Sequence, residues 1–431
     1  MSMNRRSFMK LLGASAGVGL AGLPMISVAN EIMPKKGRRV VVVGGGYGGT
    51  IAAKYIRMSD PTIEVVLVTE SKEFISGPFS NLVIVGVRDQ KDNTITYDKL
   101  AAAHDIKMVY AHAMSVDVGA KMVVTDKGTI AYDRLVLSPG IDFKTSGIEG
   151  YDANTPEIMP HGWKAGAQTL LMKKQLESMK DGGVVVITIP KAPYRCPPGP
   201  YERAGLFAFY LKQHKPKSKI IVWDANGDII AKPGLFKKGW SQHYGFDAND
   251  SSKGMIAYLP KNDLVKVNMK EMSVDNGIET LKADMINVIP PQRAGEIAFK
   301  SGVVGEDKTW CPVDQITFES KLVPGIHVIG DACITGVMPK SGYSANSQAK
   351  VCALNIVQAM NGKPLIPPSH VNACYSYITD KVGISVTAVY KEAEGKTISV
   401  PNSGGVSTEP NELEGRYGMG WIKNILTEMS T

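Results

Sequence analysis

Cysteine is scarce in this chain and poorly spaced for the common uses of thiols. The 431 residues include five, Cys196, Cys311, Cys333, Cys352 and Cys374, and no two of them form a CxxC pair. Thioredoxin-like and zinc-ribbon readings thereby lose their main support, and without a CxxCH the chain attaches no c-type haem of its own. An odd count leaves at least one free thiol in an oxidising compartment, with room for one or two bridges. The seven histidines are scattered without metal-ligand spacing, so no metal site is expected. Long hydrophobic runs are also missing. The apolar stretch from Leu11 to Leu23 is roughly a dozen residues, short of the ~20 that a hydrocarbon core requires, and no transmembrane segment is expected in the mature chain. The formal net charge of +8 contains no dense Lys/Arg run, which argues against nucleic-acid binding. Three of those charges are Arg5, Arg6 and Lys10, with no acid before Glu31, so +5 remains beyond residue 29.

What is present at the N-terminus is a leader. Arg5-Arg6-Ser7-Phe8-Met9-Lys10 precedes the apolar stretch, and Ser27-Val28-Ala29 supplies small residues at a peptidase site. A twin-arginine signal over residues 1–29 is predicted, with cleavage after Ala29 and export to the periplasm. That route carries folded proteins, which suits a chain that binds a nucleotide before leaving the cytoplasm.

The remaining 400 or so residues exceed what one hydrophobic core normally spans. Val40 to Val43 is a β-branched run, followed by Gly44-Gly45-Gly46-Tyr47-Gly48-Gly49 and then by helix-forming residues from Ile51 to Met58. A second β-run, Ile63 to Val68, ends at Glu70. Strand, glycine turn, helix and strand make a β-α-β unit with a dinucleotide fingerprint. Gly44 permits the tight turn, Gly46 lets backbone N–H groups approach a pyrophosphate beside Tyr47, and Gly49 allows close helix packing. Glu70 stands where an acid accepts from a ribose hydroxyl, about 20 residues on. A second unit is predicted from the β-run Gly183 to Ile189, a helix from Tyr201 to Gln213, and a strand from Lys219 to Asp224. Its connecting turn, from Pro190 to Pro200, is proline-stiffened. Prolines supply neither N–H donors nor close backbone approach, so NAD(P)H is not expected there.

Two further segments decide the cofactor. The run from Tyr132 to Pro139-Gly140 looks like the second signature segment of flavoproteins with two dinucleotide domains. The run from Thr317 to Gly330-Asp331 looks like their third, in which the aspartate binds the ribityl chain of FAD. Ser344 and Ala345 open a predicted helix, Ala345 to Met360, whose positive end would face the flavin. The fold class expected is α/β: two Rossmann-like domains in the disulfide-reductase manner plus a small C-terminal α+β domain. The FAD-binding domain spans 36–150 and 290–365, the second Rossmann-like domain spans 151–289, and a flavin-covering domain spans 366–431. Beyond Pro367 a strand is read from Ile384 to Tyr390, between loop segments.

The motifs RCPPGPYE (195–202), IPPQRAG (289–295), WCPVD (310–314), TFES (317–320) and MPKSGYSANS (338–347) together resemble the flavoprotein subunit of flavocytochrome c sulfide dehydrogenase. That family is similar to sulfide:quinone reductases in placing a redox-active disulfide beside the flavin. The resemblance implies Cys196 and Cys374 (in NACYS) as that pair and Glu202 as the carboxylate that manages protons, with sulfide as substrate. It also implies a c-type cytochrome subunit as electron acceptor. Cys311, Cys333 and Cys352 lie in or near apolar runs and read as buried thiols. Family members commonly attach FAD through a cysteine in a segment like 74–81, where this chain has Gly77, so non-covalent FAD is expected. Trp421 reads either as a wall of the flavin site or as a core residue. A sulfide:quinone reductase and a non-catalytic FAD-binding interaction protein are the rival readings.

Overall fold

The computed structural model describes residues 30–431, and the twin-arginine leader and its cleavage site lie outside the described residues. Glu31–Thr431 forms one compact unit. Its organising element is the strand Arg39–Val43, all five residues of which are buried. A strand buried on both faces is the signature of a parallel sheet covered on two sides. This one pairs in parallel with Glu64–Thr69 and with Arg134–Leu137. Lys107–Tyr110 and Ile326–Val328 complete the five-stranded sheet at its two edges. Arg39 is tolerated in this core because its guanidinium is fully engaged. It pairs with Glu64 at 2.5 Å and donates to the carbonyl oxygens of Met33, Pro34 and Ala131.

The helix Gly49–Ser59 follows the first strand and buries Ile51, Ala52, Ala53 and Ile56. A Cβ at Gly49 would overlap the carbonyl oxygen of Gly44, so the helix can start this close to the strand only with glycine there. The expected strand–turn–helix is therefore present, each element within two residues of its predicted bounds.

The second β-α-β unit is built from Val184–Ile189, the helix Gly199–His214 and Lys219–Asp224. Its sheet is again parallel, in the order Ile256–Pro260, Lys219–Asp224, Val184–Ile189, Met285–Val288. The helix begins two residues ahead of the expected Tyr201, which places Pro200 in the first turn, where a missing N–H costs nothing.

After Pro367 the chain forms an antiparallel sheet of Ser369–Tyr377, Gly383–Ala393 and Lys396–Ser399, and then a 19-residue helix, Glu412–Ser430. Sequence reasoning placed the middle strand but left 412–430 as loop. Gly415, Gly418 and Gly420 weaken its helical signal. Two of them serve packing instead: a Cβ at Gly415 would overlap the Lys381 carbonyl oxygen, and one at Gly418 would press on the Tyr377 hydroxyl at 3.0 Å.

Stability should depend on the buried histidines. His370 is fully buried, with its ring edge-on to Phe318 at 5.5 Å. Burial holds its pKa down to about 4, only partly offset by the Ser347 backbone. The unfolded chain therefore binds the extra proton first. This contribution is intact above the ordinary histidine value of about 6.5 and is lost as pH falls toward 4, on the order of 3 kcal/mol in full. Urea unfolding near pH 7 and near pH 5 should show a stability loss at the lower pH that His370→Leu diminishes. An unchanged pH slope in the variant would contradict this account.

Candidate functional site

A cavity of about 1330 Å³ runs through the described unit. Ordinary small-molecule pockets are roughly 300–1,000 Å³, so this one suits an extended dinucleotide. One end is made by Gly44, Gly46 and Tyr47 of the glycine turn and by Glu70. Gly44 has φ +109°, and a Cβ there would overlap the Ser138 carbonyl oxygen, so the turn requires glycine. Tyr47 is buried with its hydroxyl 2.5 Å from Ser76 Oγ and its ring edge-on to Phe74. Burial raises the pKa of its phenol, which stays neutral. Glu70 Oε1 lies 2.6 Å from His112 Nδ1, and both residues line the cavity. Sequence reasoning did not single out His112, which reaches Glu70 only through the pairing of neighbouring strands.

Pro139, Gly140, Gly330 and Asp331 line the middle of the cavity. Asp331 Oδ1 is buried and, among the described residues, has no hydrogen-bond partner. Burial raises the carboxyl's pKa, and Arg195, 4.0 Å away, and Lys340 offset only part of that rise. An orphaned acceptor in an open cavity calls for a ligand hydroxyl, the part this motif plays toward a ribityl chain. The residues present therefore fit FAD.

The helix that faces the cavity is Gly342–Met360, three residues longer at its start than expected, because Ser341 caps it by accepting from the Ser344 N–H at 3.0 Å. Ser341, Gly342, Tyr343 and Ala345 line the cavity; Ser344 does not. Its side chain is buried against Ser341 Oγ and Asn372 Oδ1, so its expected cofactor contact is corrected to a structural one. Gly49 likewise stays behind the turn, in its packing role.

The third region brings together the residues implied by the resemblance. Cys196 lies on the loop before the helix Gly199–His214, Glu202 in that helix's first turn, and Cys374 on the strand Ser369–Tyr377, and all three line the same cavity. Cys196 has φ +56°, a strained conformation for a non-glycine residue, fixed by its N–H donating to the Lys340 carbonyl at 2.8 Å. A Cβ at Gly199 would stand 3.0 Å from Cys196 Sγ, so glycine at the helix start makes room for the sulfur. Burial pushes the Cys196 thiol up to about 12; the next influence is Cys374, then Glu202, with Arg195 and Lys232 opposing. Both cysteines are free thiols in the structure. The implied bridge is not formed between them in the structure. Cys311, Cys333 and Cys352 are buried, as their apolar surroundings suggested.

Glu202 is buried, with Oε2 accepting from Asn81 Nδ2 at 2.7 Å and Oε1 from the Tyr377 N–H at 2.9 Å. Burial raises its pKa above the usual carboxylate range despite those donors and the nearby Lys232 and Arg203. Asn81 is itself held by Arg203 Nε at 3.0 Å. Arg203 also donates to Asn287 and to the carbonyl oxygens of His161 and Gly162. Asn81, Arg203 and Lys232 were not foreseen, since no motif marks them. Trp421 is both wall and packing residue: it lines the cavity and stacks on Phe79 at 5.9 Å.

The second β-α-β unit differs at the corresponding place. Asp224 ends its second strand, where an acid would meet a ribose. Its Oδ2 accepts from the Tyr201 and Tyr258 hydroxyls at 2.7 and 2.9 Å, and its Oδ1 from Asn226. Aromatic side chains take up the acceptor positions.

Residues 169–290 match the family model for the central part of the sulfide dehydrogenase [flavocytochrome c] flavoprotein chain. Residues 366–429 match the flavin-binding model of flavocytochrome c sulphide dehydrogenase, and 38–180 match the pyridine nucleotide-disulphide oxidoreductase model. The chain is 25% identical over 338 residues to a mitochondrial sulfide:quinone oxidoreductase of Dictyostelium discoideum, covering 76% of this chain and 72% of that one. It is 56% identical over 46 residues to a sulfide dehydrogenase [flavocytochrome c] flavoprotein chain of Chlorobaculum thiosulfatiphilum, which is 11% of this chain and 96% of that sequence. In fold it is similar to the sulfide:quinone oxidoreductase of Aquifex aeolicus, with a TM-score of 0.76 at 19% identity over 91% of each chain.

Replacing Asn81 with alanine leaves Glu202 Oε2 and Arg203 Nε without their partner. Each buried unpaired group costs about 1–3 kcal/mol. Asn81→Ala should therefore lower the urea midpoint by a loss within or above that range. A midpoint equal to that of the unsubstituted protein would show that Asn81 does not hold the carboxylate.

Proposed function

We propose that this flavoprotein, akin to the flavocytochrome c sulfide dehydrogenases and sulfide:quinone oxidoreductases, oxidises sulfide to sulfane sulfur or polysulfide through Cys196 and Cys374. In this reading it holds FAD without a covalent bond, works in the periplasm and serves a c-type cytochrome. The observation that carries the reading is the convergence of both thiols and Glu202 on the cavity that also holds the glycine turn and Asp331.

The chain's own residues supply the sulfur chemistry. A Cys196–Cys374 bridge offers an electrophilic sulfur to hydrosulfide, and attack yields a persulfide and a thiolate. Glu202 lines the same cavity as both sulfurs in a buried position, and burial raises its pKa, which suits a group that takes up and returns a proton locally. Gly44, Gly46 and the start of the helix Gly49–Ser59 would hold the pyrophosphate, Glu70 a ribose, and Asp331 the ribityl chain. FAD, when bound, supplies the capacity to take up an electron pair and release it in single-electron steps. Trp421, Tyr343 and Tyr375 wall the thiol end against solvent.

One partner is argued against by the geometry. A pyridine nucleotide would have to displace Tyr201 and Tyr258 from Asp224 and pass a turn whose prolines lack N–H donors and whose Ala192, Arg195 and Cys196 N–H groups are already engaged within the protein. No helix among the described residues is long and apolar enough to cross a bilayer. The cytochrome reading draws its support from the two family-model matches, whose descriptions name the flavocytochrome c enzyme.

Non-covalent FAD follows from Gly77. It lines the cavity and carries no nucleophile, and a Cβ there would meet nothing within 4 Å.

Anaerobic addition of sulfide should bleach the flavin absorbance of the loaded protein, and cytochrome c, not a quinone analogue, should restore it. Cys196→Ser and Cys374→Ser should each abolish the bleaching while the yellow colour remains. Bleaching retained in either variant would refute the thiol role. Acid precipitation should leave the flavin in the supernatant; a pellet that keeps its colour would reveal a covalent link at some residue other than Gly77.

A further inference from the structure

Behind the strand that carries Cys374 lies a charge that the sulfur chemistry above leaves unused. Lys232 is only 5% exposed. Its Nζ donates to Ser376 Oγ at 2.9 Å and approaches the Cys374 carbonyl oxygen at 3.5 Å. No carboxylate among the described residues lies within ion-pair distance of it. An ammonium taken out of water without a counter-charge is expensive, and buried charges are normally paired. The backbone is also committed to this placement. Lys232 has φ +57°, a left-handed conformation that side chains rarely adopt, and it caps the helix Pro233–Tyr244. Strain of this kind persists where the surroundings fix it, and it clusters at functional sites.

The groups that face this ammonium identify its counter-charge. Cys374 and Ser376 are two apart on one strand and so point to the same face. The field of Lys232 reaches Cys374, Cys196 and Glu202, favouring the anionic form of each. For Cys374 it is the largest influence after burial, whereas for Cys196 it comes last, behind Cys374, Glu202 and Arg195. Glu202 already has its two donors, Asn81 and the Tyr377 N–H. Cys374 has none comparable, its Sγ being 4.0 Å from the Tyr375 carbonyl.

We propose that Lys232 is the buried counterion of a Cys374 thiolate, and that it thereby fixes which sulfur of the pair is attacked. The inference rests on the sulfide-oxidising reading and deepens it. Hydrosulfide attacks Cys196 Sγ, and a new S–S bond forms there as a persulfide that keeps the incoming proton. The Cys196–Cys374 bond breaks, and its electron pair leaves on Cys374 Sγ, on the strand whose Cys374 carbonyl and Ser376 hydroxyl Lys232 contacts. The incoming sulfur is oxidised by two electrons and the bridge is reduced by two; a second hydrosulfide carries the outer sulfur away as hydrodisulfide, and the two cysteine sulfurs then re-form the bridge as their electron pair passes to the enzyme's two-electron cofactor. Attack at the other sulfur would leave the negative charge on Cys196, for which Lys232 ranks behind Cys374, Glu202 and Arg195. Lys232 is thus a positioning residue that acts through Cys374.

The test reads the thiolate directly. FAD-loaded protein reduced with a phosphine is alkylated with iodoacetamide from about pH 6 to about pH 10, and the rate at each cysteine is followed by peptide mass. Lys232→Met should slow Cys374 alkylation at neutral pH about tenfold, equivalent to about one unit of pKa. Lys232→Arg should restore the rate to within about threefold, since it keeps the charge. Buried Cys311, Cys333 and Cys352 should stay unreacted throughout. If Lys232→Met does not accumulate as loaded protein, Lys232→Gln keeps a donor to Ser376 and carries the same expectation, while Ser376→Ala keeps the ammonium and should keep most of the rate. An unchanged Cys374 profile in the neutral variants, or an Arg variant as slow as they are, overturns the proposal. The two readings fail separately. Sulfide that does not bleach the unsubstituted protein defeats the functional reading, whereas normal bleaching with an unmoved Cys374 profile defeats the role of Lys232 alone.

Discussion

One carboxylate ties the distant parts of this chain to each other. Glu202 belongs to the second β-α-β unit, yet one of its oxygens is held by Asn81, in the short helix Ser80–Ile84 that follows the first, and the other by the Tyr377 N–H of the C-terminal sheet. A buried carboxylate must be satisfied, because leaving it bare costs more than its hydrogen bonds return. Asn81 can serve only while Arg203 holds its other end. Arg203 in turn needs the carbonyl oxygens of His161 and Gly162. Three segments far apart in sequence are thereby fixed around a point in the wall of the cavity, and both cysteines are positioned as a result.

The two β-α-β units start from one plan and part at their turns. In the first, Gly44, Gly46 and Gly49 leave the backbone open, and Glu70 remains exposed at the strand end. In the second, proline stiffens the turn and tyrosines cover the strand-end acid. What the second unit gives up as a nucleotide site it gains as a platform. The helix that would have met a pyrophosphate now presents Cys196 at its start and Glu202 in its first turn. Replacing N–H donors by side chains converts an anion cradle into a sulfur site on the same scaffold.

Much of this was legible in the sequence, for physical reasons that also mark where legibility ends. Val40 to Val43 and Val184 to Ile189 announce themselves because strands buried on both faces are continuous β-branched runs. Gly44 and Gly49 are readable because a close approach of backbones admits nothing else. Ser344 was misread because a motif names residue types without giving side-chain direction, and the capping bond of Ser341 turns it inward. The helix Glu412–Ser430 was missed because its glycines answer to Tyr377 and Lys381, partners that only the folded chain supplies. Asn81, Arg203, His112 and Lys232 leave no local trace at all. Their meaning lies in what they touch across more than forty positions of sequence.

Burial at the sulfur site pushes acids and bases in opposite directions, and this limits what the resting protein can be. Desolvation raises Cys196, Cys374, Glu202 and Asp331 and lowers Arg203, to about 10. Acids that resist ionising surround cations that keep their charge, because an arginine at that value remains protonated at neutral pH. Burial therefore works against negative charge beside the buried cations of the cavity wall. A neutral dithiol does nothing to correct this, but an anion arriving from solvent does, and so does a thiolate released within the wall. The electrostatic cost of burying Lys232 and Arg203 is thus already borne in the fold, and under the proposed chemistry it would be relieved at the step in which negative charge appears on sulfur. Under the proposed sulfur chemistry, a site arranged in this way would favour an anionic sulfur nucleophile over a neutral one for the same reason that it would favour bond cleavage over the closed bridge.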